Sequence, residues 1–470
     1  MFKRVLVANR GEIAVRIIRA LRELGIESVA LYSDADKDAL HTMLADYAFA
    51  LGGDRAQETY TNMGKIINIA KISGADAIHP GYGFLSERPN FAEEVERSGI
   101  SFIGPKSNII QLMGDKIEAR KFMSKLGVPL IKGSHGAIND YQEASKIGDE
   151  IGYPLLVKAA AGGGGMGMKV VNNKDELKAI LGAVKEIAKT LYNDDSVFME
   201  KYLINPRHIE VQVLGDKHGN YVHLGERECS IQRRHMKIVE ETPSLALSSE
   251  IREKMTSAAI AIAEAVGYDS VGTVEFIYED GEFYFLEMNT RIQVEHTITE
   301  MVTSIDIVKE QISIAAGKVL SFKQSDVNFH GHAIECRIYA EDPLKAFIPS
   351  PGKISDLIEP GGPGIRIDSG VKAGYTVSTY YDSMLSKIIT SGRDRNEAIS
   401  RMNRALNEFT LEGIKTNIPL LEAIMKDNNF KTCDFSTNFL EKNNSLIDEC
   451  LSERKTIFLS IENQALNYNE

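Results

Sequence analysis

Hydrophobic positions in the first part of the chain fall into short runs separated by amphipathic stretches. Val5-Leu6-Val7-Ala8 has the character of a buried strand, and Ile13 to Leu24 repeats apolar positions at helical spacing until Gly25, where a C-cap belongs. Ser28 to Tyr32, Asp76 to Ile78 and Ser101 to Ile103 continue the strand pattern. Short apolar strands alternating with helices predict βαβ units and a parallel, Rossmann-like sheet over residues 1–114. The first turn, Asn9-Arg10-Gly11-Glu12, holds one glycine and no GxGxxG, so a dehydrogenase loses its best support.

From Met113-Gly114-Asp115-Lys116 the pattern changes. A second region, to about Gly317, has alternating strands such as Gly281 to Glu287. A third, from Gly331, mixes strands (Ala333 to Tyr339, Gly364 to Asp368) with a helical section after Asn396. Within the second region, Tyr153 to Lys158 and Met168 to Val171 read as two strands joined at hairpin distance by Ala159 to Gly167, which includes Gly162-Gly163-Gly164-Gly165. Glycines there permit positive φ and bring bare N–H groups against an anion. Gly162 and Gly167 fit GxxxxG, but Met168 replaces the lysine of a P-loop and a strand follows instead of a helix. The expectation is a phosphate-covering hairpin lid with Lys158 as a point charge on a phosphate. A flexible linker and a solvated strand-end lysine are the plain alternatives.

The most polar strand-like segment is Glu287 to Glu295. On an extended chain Glu287, Asn289, Arg291, Gln293 and Glu295 share one face. A solvent-facing strand would do the same, but Glu and Asn are poor strand formers, and a run of them weakens a strand without purpose. Glu275, in the apolar Val274-Glu275-Phe276-Ile277, would lie near Glu287 and Asn289 across a hairpin. Two carboxylates and an amide oxygen form a hard-oxygen set for Mg2+ or Mn2+. Arg291 and Gln293 could hold a small planar anion, and Glu295 could act as base. His208 with Glu210, and His235 with Lys237, are each expected on a shared strand face as walls of an anion pocket. Each histidine alone would more often be structural.

Composition narrows this picture without redirecting it. With 54 Lys+Arg against 66 Asp+Glu the net charge is −12, which argues against a general nucleic-acid or anionic-membrane binder. A local gathering of cations still suits a small anion. The 43% hydrophobic content and 470-residue length fit a globular enzyme of about three domains. No run approaches the ~20 apolar residues of a membrane helix, and the N-terminal apolar run is too short for a signal peptide. Cys229, Cys336, Cys433 and Cys450 have neither zinc nor disulfide spacing, so the cytoplasm is the expected location.

Five strings carry a resemblance: Ala8 to Ala14, His79-Pro80-Gly81-Tyr82-Gly83-Phe84-Leu85-Ser86-Glu87, the Lys158-to-Met168 loop, Glu226-Arg227-Glu228-Cys229-Ser230, and Glu287 to His296. Taken in that order they make the chain resemble the ATP-grasp superfamily, and within it biotin carboxylase, over nearly its whole length. The resemblance implies α/β and α+β architecture. A Rossmann-like N-terminal domain (1–114) would precede an ATP-grasp domain (115–317) with a mobile glycine-rich lid at about 131–203. A mixed α+β C-terminal domain (331–440) and a tail (441–470) would complete the chain.

By the same resemblance Lys116, Lys158, His208, His235 and Glu275 would bind ATP, Gly164 and Gly165 would close over its phosphates, and Glu200-Lys201-Tyr202-Leu203 would receive adenine. Glu275, Glu287 and Asn289 would hold two Mg2+ or Mn2+ ions. Lys237, Arg291, Gln293 and Val294 would bind bicarbonate, and Glu295 would deprotonate it. Arg337 would stabilise the enolate-like oxygen of biotin, with Tyr82 lining that pocket. The implied activity is ATP-dependent carboxylation of biotin through carboxyphosphate, the first half-reaction of acetyl-CoA carboxylase in fatty acid synthesis. The same half-reaction would serve a two-subunit pyruvate carboxylase or another acyl-CoA carboxylase, and an ATP-grasp carbon–nitrogen ligase is a more distant reading.

No Ala-Met-Lys-Met motif occurs, so biotin is expected as a substrate on a separate biotin carboxyl carrier protein. Carboxyltransferase subunits and a second copy of the chain are the expected partners, with no nucleic acid and no membrane. Departures from the family pattern are Met166 in the lid, Thr297 where proline is common, and Pro363 where an aromatic is often found. Arg19 and Glu23 match positions at the family's dimer contact.

Overall fold

The computed structural model describes residues 1–134, 136–160, 167–443, 445 and 446. Gly164, Gly165, Met166 and Cys450 therefore lie outside the described residues, as does most of the 441–470 segment.

Five parallel strands, β1 (Arg4–Val7), β2 (Glu27–Tyr32), β3 (Tyr47–Ala50), β4 (Ala77–His79) and β5 (Ser101–Phe102), form a sheet in the order β3-β2-β1-β4-β5. Helix α1 (Gly11–Glu23) buries Ile13, Ile17 and Leu21 in one cluster with Val5 and Val7 of β1. This is the predicted Rossmann-like layout. Chain order reverses between β1 and β4, so the loops leaving their carboxyl ends border a crevice. Asn9 Nδ2 closes the turn after β4 by donating to the carbonyls of Pro80 and Tyr82, each at 2.7 Å. Gly81 has φ +61°, and a Cβ there would lie 2.9 Å from Asn9 Nδ2, so the tight turn that presents Tyr82 needs glycine.

The glycine hairpin also forms as expected. Strands β6 (Leu155–Ala159), β7 (Met168–Val171) and β8 (Val197–Lys201) make an antiparallel sheet in the order β7-β6-β8, with Lys158 opposite Met168. Helix α2 (Lys174–Tyr192) backs it, packing Leu177, Leu181 and Val184 on Val157, Val171 and Met199.

An eight-stranded antiparallel sheet carries the rest: β9 (Arg207–Gly215), β10 (Tyr221–Arg233), β11 (Met236–Thr242), β12 (Val271–Glu279), β13 (Glu282–Asn289), β14 (His332–Tyr339), β15 (Ile365–Ser369) and β16 (Met384–Gly392). Its order is β13-β12-β9-β10-β11-β14-β16-β15, so pairing of β11 with β14 runs the sheet straight across the segment between Gly317 and Gly331. Period-two alternation gives it two faces. Ile209, Val211, Val274, Phe276 and Phe285 pack beneath helix α3 (Ser249–Val266) through Met255, Ala259 and Ile262, while His208, Glu210, Glu275 and Glu287 occupy the alternate positions. Among the described residues no helix is long and apolar enough to cross a membrane.

Two expectations are corrected. The polar segment is not one extended strand. Strand β13 stops at Asn289, and Arg291, Gln293 and Glu295 lie in the turn before helix α4 (His296–Thr303). The backbone leaves the sheet because Thr290 N–H donates to Glu87 Oε1 (3.3 Å) and Arg291 Nε to Glu87 Oε2 (3.1 Å), tying the segment to the loop after β4. Nor do His235 and Lys237 share a strand face. Arg234 and His235 form the two-residue turn between β10 and β11 with φ of +51° and +65°, which leaves His235 exposed at the tip.

Candidate active site

Lys237 of β11 is the centre of the polar face. Its Nζ donates to Glu210 Oε2 (2.6 Å), Glu275 Oε1 (2.9 Å) and Glu295 Oε1 (2.7 Å). The sheet register sets this up: Glu210 on β9 pairs with Glu275 on β12, which pairs with Glu287 on β13, so three carboxyls stand in a row across neighbouring strands. Burial disfavours charge on Lys237, but the surrounding carboxylates outweigh it and push the ammonium pKa well above its ordinary value. Burial likewise opposes ionisation of Glu275 and Glu295. Lys237 with His208 for the first, and Lys237 with Arg337 and Arg227 for the second, hold both well below the usual carboxylate range.

Beneath this centre lies Arg227 of β10, wholly buried. It pairs with Glu210 and donates to Gln212, Thr273, Thr299 and Gln293 Oε1, the last at 2.9 Å. Gln293 in turn gives its Nε2 to Glu275 Oε1 (2.7 Å). The turn that ends β13 thus returns Gln293 and Glu295 to the face where an extended chain was expected to place them.

Toward the sheet edge, Asn289 Nδ2 donates to Glu275 Oε1 (2.8 Å), and His208 Nε2 lies 2.9 Å from Glu275 Oε2. Arg291 Nη2 donates to Asn289 Oδ1 (2.9 Å). Burial and the neighbouring Glu275 raise the Glu287 pKa, with Lys116 pulling the other way. A carboxyl repelled by its cross-strand neighbour is a site that a hard divalent cation relieves, so Glu275, Glu287 and Asn289 fit such an ion. His208, Glu210 and Glu275 form a second group whose donor atoms lie within 4.8 Å of one another.

In the lid, Lys158 Nζ pairs with Glu200 Oε1, and Arg120 Nη1 is 3.5 Å from Glu200 Oε2. Lys201 Nζ is used by the lid itself, donating to the carbonyls of Gly152 (3.1 Å) and Tyr153 (2.9 Å), and Tyr202 N–H donates to Pro154 O (3.1 Å). Leu203 sits next, in the partly buried exit from β8. Lys116 opens a helix over Lys116–Lys125 that Asp115 caps.

On the opposite side, Arg337 of β14 donates from Nη2 to Glu295 Oε2 (2.9 Å) and pairs with Glu240 Oε1 (2.5 Å). The Tyr82 hydroxyl donates to Glu12 Oε1. The Val294 carbonyl accepts Lys387 Nζ (2.5 Å). Sequence reasoning gave no individual role to Glu87, Arg227, Glu240, Glu335 or Lys387, although Glu87 and Arg227 lie in the strings quoted above. A lone lysine within Leu385-Ser386-Lys387-Ile388-Ile389 was a readable signal for one of them, because an unpaired charge does not remain in an apolar strand. The others became significant only through long-range contacts.

A three-stranded glycine-hairpin sheet, together with a sheet that gathers lysine, arginine and carboxylates into one charged row, is the layout of an ATP-grasp enzyme. Residues 115–323 match the family described as carbamoyl-phosphate synthase L chain, ATP binding domain. Residues 1–110 and 335–442 match the N-terminal and C-terminal domains of biotin carboxylase. The chain belongs to the biotin carboxylase family, and is an ATP-dependent ligase of that type. It is 53% identical to a pyruvate carboxylase subunit of Methanothermobacter thermautotrophicus over 95% of this chain and 91% of that one. It is 54% identical to the biotin carboxylase of Haemophilus influenzae over 94% and 99%. The biotin carboxylase domain dimer of Hydrogenobacter thermophilus 2-oxoglutarate carboxylase, crystallised with MgADP, ADP and bicarbonate, superposes with a TM-score of 0.92 at 49% identity, covering 95% of this chain and 99% of that one. The activity of this chain is the biotin-carboxylase half-reaction, in which ATP drives bicarbonate onto biotin.

Proposed function

We propose that the chain performs this half-reaction on a carrier-borne biotin in the cytoplasm, as the carboxylase component of a 2-oxo acid carboxylase, with pyruvate the first candidate acceptor. The relatives named for pyruvate and 2-oxoglutarate carboxylases support this over the acetyl-CoA carboxylase expected from the sequence. The 54% identity to the Haemophilus influenzae biotin carboxylase keeps acetyl-CoA as the second reading. Biotin carboxyl carrier protein and carboxyltransferase subunits are the proposed partners. A second copy of the chain would meet it at the cleft lined by Arg16, Arg19, Glu23 and Arg366.

The observation that carries the reading is the Glu295 carboxylate held between Lys237 and Arg337. One residue thereby joins the row of carboxyls beside the lid to the cation on β14. In the proposed chemistry a bicarbonate oxygen attacks the γ-phosphorus, ADP leaves, and carboxyphosphate forms. Lys237, Arg291, Gln293 and Val294 hold bicarbonate, and the ionised Glu295 takes its proton. Two flanking cations make Glu295 a weak base, so bicarbonate must displace at least one of them as it enters. Lys116 and Lys158 neutralise phosphate charge, His208 and His235 bind the nucleotide, and Glu200 to Leu203 receive adenine at the lid hinge. Glu275, Glu287 and Asn289 would hold one or two Mg2+ or Mn2+ ions, which would supply positive charge against the phosphates. Carboxyphosphate then breaks to CO2 and phosphate, phosphate removes the ureido proton of biotin, and the nitrogen captures CO2. Arg337 steadies the developing oxyanion beside Tyr82.

The test is ADP release with bicarbonate, with and without free biotin. Biotin-dependent stimulation is expected, and its absence sinks the reading. Transfer of labelled carboxyl to pyruvate, 2-oxoglutarate or acetyl-CoA by the co-purified carboxyltransferase then separates the acceptors.

A further inference from the structure

Behind Arg337 lies a pair of carboxyls that the reaction above does not use. Glu240 of β11 and Glu335 of β14 are directly opposite each other in the sheet and both are 0% exposed. Cross-strand neighbours bring their Cβ atoms to about 5 Å. Among the described residues neither oxygen of Glu240 has a hydrogen-bond partner, and the cation against it is Arg337 Nη2 at 2.5 Å. Glu335 Oε2 accepts the Thr297 hydroxyl, and among the described residues its Oε1 has no hydrogen-bond partner.

The charges around them do not balance if both are ionised. Arg337 already serves Glu295. Lys237 on the same strand as Glu240 is shared by Glu210, Glu275 and Glu295. Lys387 of β16, opposite Arg337 in the sheet, attracts Glu335 but is shared, donating to Val294 O and lying 3.4 Å from Glu12. The remaining titratable neighbours, Tyr339 and Cys336 on β14 and Cys229 on β10, are pushed up by burial and stay neutral. Two adjacent carboxylates in so dry a layer cannot both keep their charge.

We propose that Glu240 and Glu335 hold one proton between them and act as a positioning pair for Arg337, leaving its guanidinium free to turn from Glu295 to the biotin oxygen. This rests on the assignment of Arg337 to biotin. While the pair keeps its proton it carries a single negative charge. Once that proton is lost, a second full charge draws Arg337 back from the substrate. Burial pushes Glu240 up to about 8 against Arg337, with repulsion from Glu335 and Glu295 added, and pushes Glu335 up to about 7 against Lys387 and Arg337, with repulsion from Glu295 added.

The experiment compares wild type, Glu240→Gln, Glu335→Gln and Glu240→Asp in biotin-stimulated ADP release across pH, together with infrared spectra of the carboxyl region. Wild type should lose stimulation as pH rises through about 8. Each Gln variant should lack that alkaline limb and change the KM for biotin on the order of tenfold, the size of one charge-assisted hydrogen bond. The KM for ATP should change less, and Glu240→Asp should keep the limb. A protonated-carboxyl stretch present in wild type at neutral pH and lost in both Gln variants supports the pair independently of activity. An unchanged limb in both Gln variants, parallel changes in the two KM values, or no such stretch in wild type would overturn it. If wild type shows the stretch but no biotin stimulation, the assignment of Arg337 fails and takes the positioning role with it.

Discussion

Glu275 stands directly opposite Glu287 across the β12–β13 hairpin, and both carboxyls lie on the face that carries Lys237 and His208. Glu275 is matched by cations, whereas burial and Glu275 itself push the Glu287 pKa upward. The pair is therefore asymmetric: one carboxylate is bound into the protein, and the other is repelled by it.

Replacing Glu287 with Gln removes that repulsion together with a ligand. The Mg2+ concentration for half-maximal ADP release should rise on the order of tenfold, while thermal stability holds or improves slightly, since a strained like-charge pair has been relieved. A metal titration of initial rates checks this. An unchanged Mg2+ requirement removes Glu287 from the metal set.

Lys237→Ala should cost both function and stability. Removing the ammonium leaves three buried carboxylates without their shared donor, and breaking a buried charge network typically costs about 3–5 kcal/mol. The KM for bicarbonate should rise more than the KM for ATP. Denaturant unfolding and bicarbonate saturation measure the two halves. Wild-type stability in the variant would mean that the carboxylates find other partners.

Arg291 touches Glu87, Asn289 and the Ile292 carbonyl, so it is braced from both sides of the crevice. Arg291→Ala is expected to lower turnover on the order of a hundredfold, with much less change in ATP affinity, as for a donor used mainly in the transition state. Glu87→Gln should have a weaker effect of the same kind by loosening the brace. Equal losses in turnover and ATP affinity would make Arg291 a nucleotide-binding or structural residue.

Acid stability has a specific source far from the carboxyl row. Burial would raise the Asp36 pKa, but the Arg10 guanidinium at 2.6 Å, with help from Tyr60, lowers it to about 2. A depressed carboxyl pKa stabilises the fold above the ordinary aspartate value and loses that contribution as pH falls toward the folded one. The contribution is about 2 kcal/mol. Asp36→Asn should lower stability at neutral pH and flatten its dependence between about pH 4 and pH 2. Denaturation curves across that range decide it. An undiminished acid slope in the variant assigns the effect to other carboxylates.

The local patterns were decided by the sequence itself. Apolar periodicity predicted the parallel sheet, the Leu155–Ala159 and Met168–Val171 hairpin, and the approach of Glu275 to Glu287, because each depends on residues close together in the chain. The motif strings were sufficient for the family. The path of the chain beyond Asn289 was decided by tertiary structure: Glu87, some two hundred residues earlier, bends the chain out of the sheet and returns Gln293 and Glu295 to Lys237. His235 left its expected face because a two-residue turn imposes left-handed backbone that Arg and His do not announce. Glu240 and Glu335 gain meaning only from the β11–β14 pairing, since the state of a buried charge depends on which distant residues share its dry surroundings.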